Sequence, residues 1–275
     1  MNMIVDRESL SDNVVKLVVE APLIAKKQNP GQFVIVRTDE KGERIPLTIA
    51  DADKERGTIT LIIQKVGTSS HKIANLAPGA AFLDVSGPLG RPTHVDKLGT
   101  VLACGGGVGI APLYPIARAF KNAGNKLIAV LGARNRDLLI LEKEMAAFAD
   151  ETIIMTDDGS YGKKGVITVG IEEVLVREPV QLAVAIGPAV MMKFVALLTK
   201  KYNVPTIASL NTIMVDGTGM CGACRVSVGG KTRFVCVDGP EFDAHEIDYD
   251  EMIKRLNTYR AEEKESYDSY LGTLP

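Results

Sequence analysis

The densest concentration of reactive side chains lies late in the sequence, in Asp216-Gly-Thr-Gly-Met-Cys221-Gly-Ala-Cys224, with Cys236 following. Three of the four cysteines fall in this span. Written as spacing it is D-x4-C-x2-C-x11-C. A [2Fe–2S] site ligated as C-x4-C-x2-C…C has the same spacing, except that Asp216 stands where its first cysteine would be. Gly217, Gly219, Gly222 and Ala223 are small enough for the backbone to fold around a cluster and aim amide N–H groups at its sulfides. A carboxylate is a harder, weaker ligand for ferric iron than a thiolate, so Asp216 is expected to shift the potential and loosen the site. The set Asp216, Cys221, Cys224 and Cys236 could also hold Zn²⁺, although the x4 spacing and paired glycines are not what a zinc knuckle needs. Ordinary reduced cysteines on a loop are a third reading, against which the tight clustering argues. If the set holds a cluster, its electron source should lie upstream.

Upstream, glycines occur where a phosphate must come close. An apolar run at Thr100–Ala103 leads into Gly105-Gly-Gly107-Val-Gly109-Ile-Ala-Pro112 and then a helical pattern from Leu113 to Asn122. A strand that ends in glycines and opens into a helix is the geometry of dinucleotide binding, with the pyrophosphate at the helix N-terminus. Pro112 fits a first helical turn, where its missing N–H leaves nothing unpaired. The pattern is G-x-G-x-x-P, so the usual fingerprint is only partly present. The elements that position this loop repeat down the chain. Strands are expected at Lys126–Gly132, Thr152–Thr156, Leu182–Ile186 and Pro205–Ser209, and helices at Leu138–Phe148, Thr168–Val176 and Val190–Lys200. Such alternation makes a doubly wound parallel sheet, whose ligands bind beyond the carboxyl ends of the strands. Those ends carry Gly105–Gly109, Gly132-Ala133-Arg134-Asn135-Arg136, Asp157-Asp158-Gly159-Ser160 and Gly187-Pro188. Arg134 and Arg136 either contact a ribose or 2′-phosphate or meet solvent. No acidic residue at a strand end decides NAD against NADP.

The first hundred residues have a different period. Short β-branched runs at Val14–Val19, Gln32–Arg37, Thr58–Gln64 and Ala81–Val85 alternate with turn clusters, which reads as an antiparallel barrel or sandwich. Within it, Arg44-Ile-Pro46-Leu47-Thr48 offers a guanidinium suited to a pyrophosphate and a Thr hydroxyl suited to a flavin ring edge. Gly67-Thr68-Ser69-Ser70 ends a strand and opens a short helix to Leu76, whose free N–H groups suit the same anion. Either set could equally be solvated surface. Gly87-Pro88-Leu89-Gly90 closes the segment. His71 and His94 lack partners at metal-ligand spacing and are expected to be structural or surface residues.

After the cysteines, Arg225–Val228 and Thr232–Val235 flank Gly229-Gly230 as a hairpin that returns Cys236 to the earlier ligands. Beyond Pro240 the chain is acidic, then helical from about Tyr249 to Glu265. Four of the seven tyrosines lie there, which marks the tail either as a subunit contact or as a helix packed on its own chain. The expected domains are a barrel over 1–98, an α/β domain over 99–209, a cluster module over 210–245 and a helical tail over 246–275. The chain has 275 residues, 46% hydrophobic and 24% charged, with a net charge of −2. That charge argues against a nucleic-acid partner. No apolar run approaches the roughly 20 residues of a membrane span, and four cysteines without a disulfide framework point to a reducing cytoplasm.

These motifs together resemble the ferredoxin–NADP reductase superfamily. Arg44…Thr48 is similar to its flavin signature, Gly107…Pro112 to its G-x-G-x-x-P variant, and Gly187-Pro188-Ala-Val-Met191-Met192 to its loop beside the nicotinamide. Met191 as helix core is the open alternative. From barrel to cluster the chain resembles one branch, which contains the dihydroorotate dehydrogenase electron-transfer subunit and the small subunits of sulfide dehydrogenase and of NADH-dependent reduced ferredoxin:NADP oxidoreductase. The resemblance implies a FAD-binding barrel, an NAD(H)-binding domain and a [2Fe–2S] cluster. It implies FAD contacts at Arg44, Pro46, Leu47, Thr48, Gly67, Thr68 and Ser69. NAD(H) contacts are implied at Gly105, Gly107, Gly109, Arg134, Asp157, Asp158, Gly187, Pro188 and Met191. Electrons would pass from nicotinamide to flavin N5 and singly to the cluster, or the reverse. Asp216 in place of a cysteine favours the electron-bifurcating transhydrogenase or sulfide dehydrogenase small subunit over the dihydroorotate enzyme's. A large flavoprotein and iron–sulfur subunit would complete a heterodimer and carry electrons to ferredoxin. The reading from a different class is a zinc-bearing nucleotide-binding module with no redox role.

Overall fold

The computed structural model describes residues 2–273. Its first part is a seven-stranded antiparallel sheet. The strands are β1 (Asn2–Ser11), β2 (Val14–Glu20), β3 (Phe33–Arg37), β4 (Ile45–Asp53), β5 (Thr58–Gln64), β6 (Ala81–Phe82) and β7 (Asp84–Leu89), with helices α1 (Pro22–Lys27) and α2 (Thr68–Ala74). The order β6-β1-β2-β5-β4-β3-β7 brings the two end strands to neighbours in sequence, so the sheet curls into a nearly closed barrel. Period-2 alternation fills it: Ile59, Leu61 and Ile63 face inward opposite Val19, Leu17 and Val15. Sequence pattern did not reveal β1, because Asp6, Arg7 and Glu8 interrupt its apolar residues and only Ile4 is buried. The strand expected over Ala81–Val85 is split at Leu83 into β6 and β7.

The second part is a parallel sheet of β8 (Thr100–Gly106), β9 (Lys126–Ala133), β10 (Glu151–Thr156), β11 (Lys163–Lys164), β12 (Leu182–Ile186) and β13 (Thr206–Ser209). Its helices are α3 (Ile110–Asn122), α4 (Glu142–Ala146), α5 (Ile167–Arg177) and α6 (Ala189–Lys201). The central strands are apolar on both faces, as burial between helix layers requires. Leu102, Ile128, Val130 and Ala185 meet α5 and α6, while Val101, Leu127, Ala129 and Val184 meet α3. The helix expected over Leu138–Phe148 is shorter. Arg136–Leu138 closes a separate tight turn capped by Asn135, and Leu141 adopts a left-handed φ of 54° before α4 begins.

The rest of the chain leaves this sheet and returns to it. Hairpin strands β14 (Arg225–Val228) and β15 (Lys231–Phe234) lead into one helical turn, α7 (Val235–Asp238). Strand β16 (Glu241–Asp243) then pairs antiparallel with β13 and becomes the edge of the parallel sheet. The tail is two helices, α8 (Tyr249–Leu256) and α9 (Arg260–Leu271), broken at Asn257–Tyr259. One continuous apolar cluster joins Phe33 and Ile35 of the barrel, Cys224 and Cys236, and the α5–α6 side of the sheet.

Candidate functional site

The β14–β15 register places Arg225 opposite Phe234, so the residues just outside it, Cys224 and Val235, meet at the hairpin's open end. Cys224 and Cys236 stand Sγ to Sγ at 3.2 Å, both buried. A tetrahedral metal with bonds of about 2.3 Å to sulfur holds two thiolates about 3.8 Å apart, so this pair is near sharing one iron. Cys221 is exposed. Its backbone N–H donates to Asp216 Oδ2 at 2.9 Å, and the Thr218 N–H donates to Asp216 Oδ1 at 2.9 Å. Those amides, Thr218 first, hold the Asp216 carboxyl below its usual range and keep it an anion. Burial and the Cys224 thiol push the Cys236 thiol up to about 12, a position that metal binding reverses by favouring the thiolate.

Among the described residues, no three His, Cys, Asp or Glu side chains gather tightly enough to hold one metal ion. Cys224 and Cys236 pair through sulfur, and Asp216 is tied to the Cys221 backbone N–H. Three thiols and a carboxylate, a donor set that fits a [2Fe–2S] cluster, thus lie on one loop and the hairpin end beside it. Gly217, Gly219 and Gly222 have φ of 76°, 85° and 68°, a region open to glycine. Gly217 also needs to be glycine for space, because a Cβ there would lie 2.8 Å from Leu89 and 2.9 Å from Ile35. The cluster loop therefore rests directly on barrel strands β3 and β7. Cys104 is apart from this group, buried in β8, where desolvation raises its thiol.

At the carboxyl end of the parallel sheet, Gly105, Gly107 and Gly109 form the turn from β8 into α3. Gly107 has φ 56° and nothing within 4 Å of where a Cβ would stand, leaving an open cradle beside the backbone. Gly109 has the opposite constraint: a Cβ would lie 2.5 Å from the Ile186 carbonyl and 2.6 Å from Gly187 Cα, so this turn abuts the Gly187-Pro188 loop. Met191 lies over both, with its sulfur 2.2 Å from the Cβ position of Gly106 and 2.9 Å from that of Gly187. Arg134, Asp157 and Asp158 follow β9 and β10 and are exposed. Backbone bonds from Asp157 N to Ala133 O at 3.1 Å and from Asp158 N to Arg134 O at 3.2 Å tie their loops together. The Ser160 hydroxyl and N–H hold the Asp158 carboxyl below its usual range.

Pro46, Leu47 and Thr48 lie on β4, opposite Ile35, Val34 and Phe33. Arg44 precedes β4 and donates from Nε to the Val215 carbonyl at 3.1 Å, reaching the cluster loop. Gly67 caps α2; the Ser70 hydroxyl accepts from the Gly67 N–H at 3.0 Å, a capping role that sequence reasoning missed. Thr68 meets Ser266 of the tail at 3.1 Å and Ser69 donates to Glu43. Helix α3 packs on β4 and the glycine turn packs on β5. An Arg118–Asp51 ion pair at 2.5 Å fastens the same seam. The flavin-type strand thus meets the helix that follows the dinucleotide turn, and Arg44 just before it reaches the cluster loop, while Thr68 and Ser69 bond to the tail and to Glu43. The pieces missed from sequence are Arg91, Arg225 and Arg255 around the cysteines and Glu241 of β16, which accepts from Thr93 Oγ1 at 2.6 Å; Arg44 is expected from sequence at the flavin alone. Arg225, directly after Cys224, was the one visible signal.

Three family descriptions match in the same order: an oxidoreductase FAD-binding domain over residues 2–94, an oxidoreductase NAD-binding domain over 104–196, and the iron–sulfur cluster binding domain of dihydroorotate dehydrogenase B over 211–248. The chain is 47% identical to a Thermotoga maritima protein described as a dihydroorotate dehydrogenase B (NAD(+)) electron transfer subunit homolog, covering 99% of this chain and 96% of that one. The electron transfer subunit of Geobacillus thermodenitrificans is 35% identical, over 89% of this chain and 96% of that one. This chain belongs to the dihydroorotate dehydrogenase B electron transfer subunit family.

This chain carries FAD-binding, NAD-binding and iron–sulfur binding domains together, and is accordingly an NAD(P)H-dependent oxidoreductase subunit that works with a partner subunit. A solved structure of NADH-dependent reduced ferredoxin-NADP oxidoreductase, described in terms of flavin-based electron bifurcation, contains a chain 47% identical with a TM-score of 0.93, covering 98% of each. Phthalate dioxygenase reductase, at 16% identity and a TM-score of 0.63 over 88% of this chain and 94% of that one, shares the fold. Among the described residues no helix is long and apolar enough to cross a membrane.

Proposed function

We propose that the chain is the small subunit of an NADH-dependent reduced ferredoxin:NADP oxidoreductase, passing electrons between NAD(H), FAD and a [2Fe–2S] cluster in the cytoplasm. The observation that carries this is the full-length similarity to the bifurcating oxidoreductase chain, with 98% of each covered. The presence of Asp216 with three cysteines, in place of four cysteines, supports the same choice. When bound, FAD exchanges two electrons with nicotinamide and passes them singly to the cluster. The protein's part is placement. Thr48 and Pro46 on β4 would hold the flavin ring, Gly67, Thr68 and Ser69 would meet its pyrophosphate, and Arg44 would offer the pyrophosphate the part of its guanidinium not bonded to the Val215 carbonyl. Gly105, Gly107 and Gly109 bring backbone N–H groups to the NAD pyrophosphate, Arg134, Asp157 and Asp158 meet the adenosine half, and Gly187, Pro188 and Met191 line the nicotinamide. Asp216, Cys221, Cys224 and Cys236 hold the cluster against the barrel wall.

The partner in this reading is a larger flavin and iron–sulfur subunit that delivers electrons to ferredoxin. A second reading, the electron transfer subunit of a dihydroorotate dehydrogenase, is favoured by the description of the Thermotoga relative. The deciding experiment is anaerobic purification with copurifying partners, followed by visible spectra before and after NADH. A flavin band and a broad iron–sulfur shoulder, both bleached by NADH, are expected. NADH-driven reduction of NADP⁺ with oxidation of reduced ferredoxin supports the first reading; reduction by dihydroorotate in its place selects the second. A colourless protein carrying zinc would sink both.

A further inference from the structure

Four guanidinium groups converge on the backbone that carries the cluster ligands. Arg44 Nε donates to the carbonyl of Val215, just before Asp216, at 3.1 Å. Arg225 Nη1 donates to Gly222 O, just after Cys221, at 3.1 Å. Arg255 Nη2 donates to Ala223 O, just before Cys224, at 3.1 Å. Arg91 Nε donates to Val237 O, just after Cys236, at 3.0 Å. Each ligand therefore has an arginine on a neighbouring residue's carbonyl. The four come from four places in the chain: the approach to β4, the stretch after β7, the hairpin and α8.

Charge distinguishes them. Arg44 has Asp84 at 3.5 Å, and Arg91 has Asp238 at 3.7 Å with its own side chain 70% exposed, so both are partly offset or screened. Arg225 and Arg255 form no ion pair among the described residues, yet both line one cavity of about 10 Å³. That cavity also contains Thr212, whose hydroxyl is buried without a hydrogen-bond partner. Arg225 is exposed and screened by solvent, whereas Arg255 is half-buried, and two cations without a counter-charge at one cavity repel each other. The fold keeps such a pair at little cost when an anion lies against it. Three thiolates and a carboxylate around an iron–sulfur core make that anion: the assembly is net negative when oxidised and gains a further negative charge on reduction.

We propose that Arg44, Arg91, Arg225 and Arg255 form a cationic collar that raises the cluster's reduction potential, with Arg255, half-buried and without a counter-ion among the described residues, contributing most. The proposal rests on the iron–sulfur reading of the site. Reduction adds one electron to an already negative group, so nearby positive charge stabilises the reduced form more than the oxidised one. Each guanidinium also polarises the peptide it bonds, which strengthens the N–H across that peptide as a donor. These are positioning residues; none is a ligand.

The test is a redox titration of the anaerobically purified full chain with its partner subunit, followed by electron paramagnetic resonance. Wild type is compared with Arg225→Gln, Arg255→Gln and Arg255→Lys, and with Lys143→Gln on α4, beside the opposite edge strands of the sheet, as a control. Glutamine keeps a hydrogen-bond donor without the charge, and lysine keeps the charge. Each glutamine variant at the collar is expected to lower the midpoint potential, Arg255→Gln by about a tenfold change in the reduced-to-oxidised ratio at fixed potential, or about 59 mV for one electron, and the exposed Arg225→Gln by less. Arg255→Lys and the control should stay at the wild-type value. Glutamine variants that keep the wild-type potential overturn the collar, as does a lysine variant that falls as far as glutamine. Either arginine alone is a complete test, so one variant that fails to assemble its cluster leaves the other to decide. A wild type with no iron–sulfur signal is a different failure, which overturns the cluster reading and the collar with it.

Discussion

Glu241 shows what a single side chain can reveal about the junction it occupies. It lies on β16, accepts from the Thr93 hydroxyl at 2.6 Å, and stands close to Gly31, where a Cβ would come within 3.0 Å of its Oε1. Burial raises its carboxyl above the ordinary 4.5, and the Thr93 hydrogen bond offsets only part of that rise. Folding thus favours the protonated form. The stability this group contributes is fully present below 4.5 and is lost as pH rises through its raised folded value. Glu241→Gln keeps the acceptor for Thr93 and has no charge to desolvate. Thermal unfolding against pH should show the wild type losing stability relative to Glu241→Gln between acid and neutral pH. A constant difference between the two proteins across that range would show that the carboxyl is solvated in the folded state.

Between elements, the junction of the two nucleotide turns leaves no room for an added side chain. At Gly109 an added Cβ meets backbone, the Ile186 carbonyl at 2.5 Å and Gly187 Cα at 2.6 Å, and backbone cannot move without separating the turns. At Gly106 the obstacle is the Met191 sulfur, at the end of a flexible side chain. Gly109→Ala should therefore cost about 1–3 kcal/mol, in the range of overpacked cores, and weaken NADH binding. Gly106→Ala should cost less and act mainly through a displaced Met191. Denaturant melts and NADH titration of both variants check the order; equal costs would mean that the turns can part. The glycines were visible in sequence because strand, glycines and helix follow one another, and β8, β9 and β12 were visible because continuous apolar runs are what a doubly covered strand needs. Other elements were hidden for equally local reasons. The charged face of β1 masks its alternation, the break between α8 and α9 has no proline or glycine to mark it, and β16 is a strand only because β13 offers an open edge. At the site, the cysteine spacing was legible, whereas the arginines of the collar come from segments as far apart as Arg44 and Arg255 and meet only in the fold.

At the scale of the whole molecule, the tail links the two ends of the electron path. Helix α8 reaches the cluster loop through Arg255 on the Ala223 carbonyl at 3.1 Å. Helix α9 crosses to the barrel, where Tyr267 meets His71 Nδ1 at 3.1 Å, Tyr270 lies edge-on to the same ring at 5.5 Å, and Ser266 meets Thr68 at 3.1 Å. No residue of α9 is buried, so the helix adds little to stability and its contacts concentrate on α2. That is the helix whose first residues the proposed function assigns to the FAD pyrophosphate. Removing residues 259–275 should cost under about 1 kcal/mol, a Tm change of no more than about 2–4 °C. It should nevertheless let FAD escape several-fold faster, because α2 loses the neighbour that steadies it. The flavin fluorescence that returns as FAD leaves the protein measures this directly. Faster release at nearly unchanged Tm makes α9 a clasp on the flavin site. Unchanged release would reduce its contacts with α2 to a resting place and leave the exposed residues of the tail, among them Tyr259 and Leu271, as the surface to examine for the partner subunit.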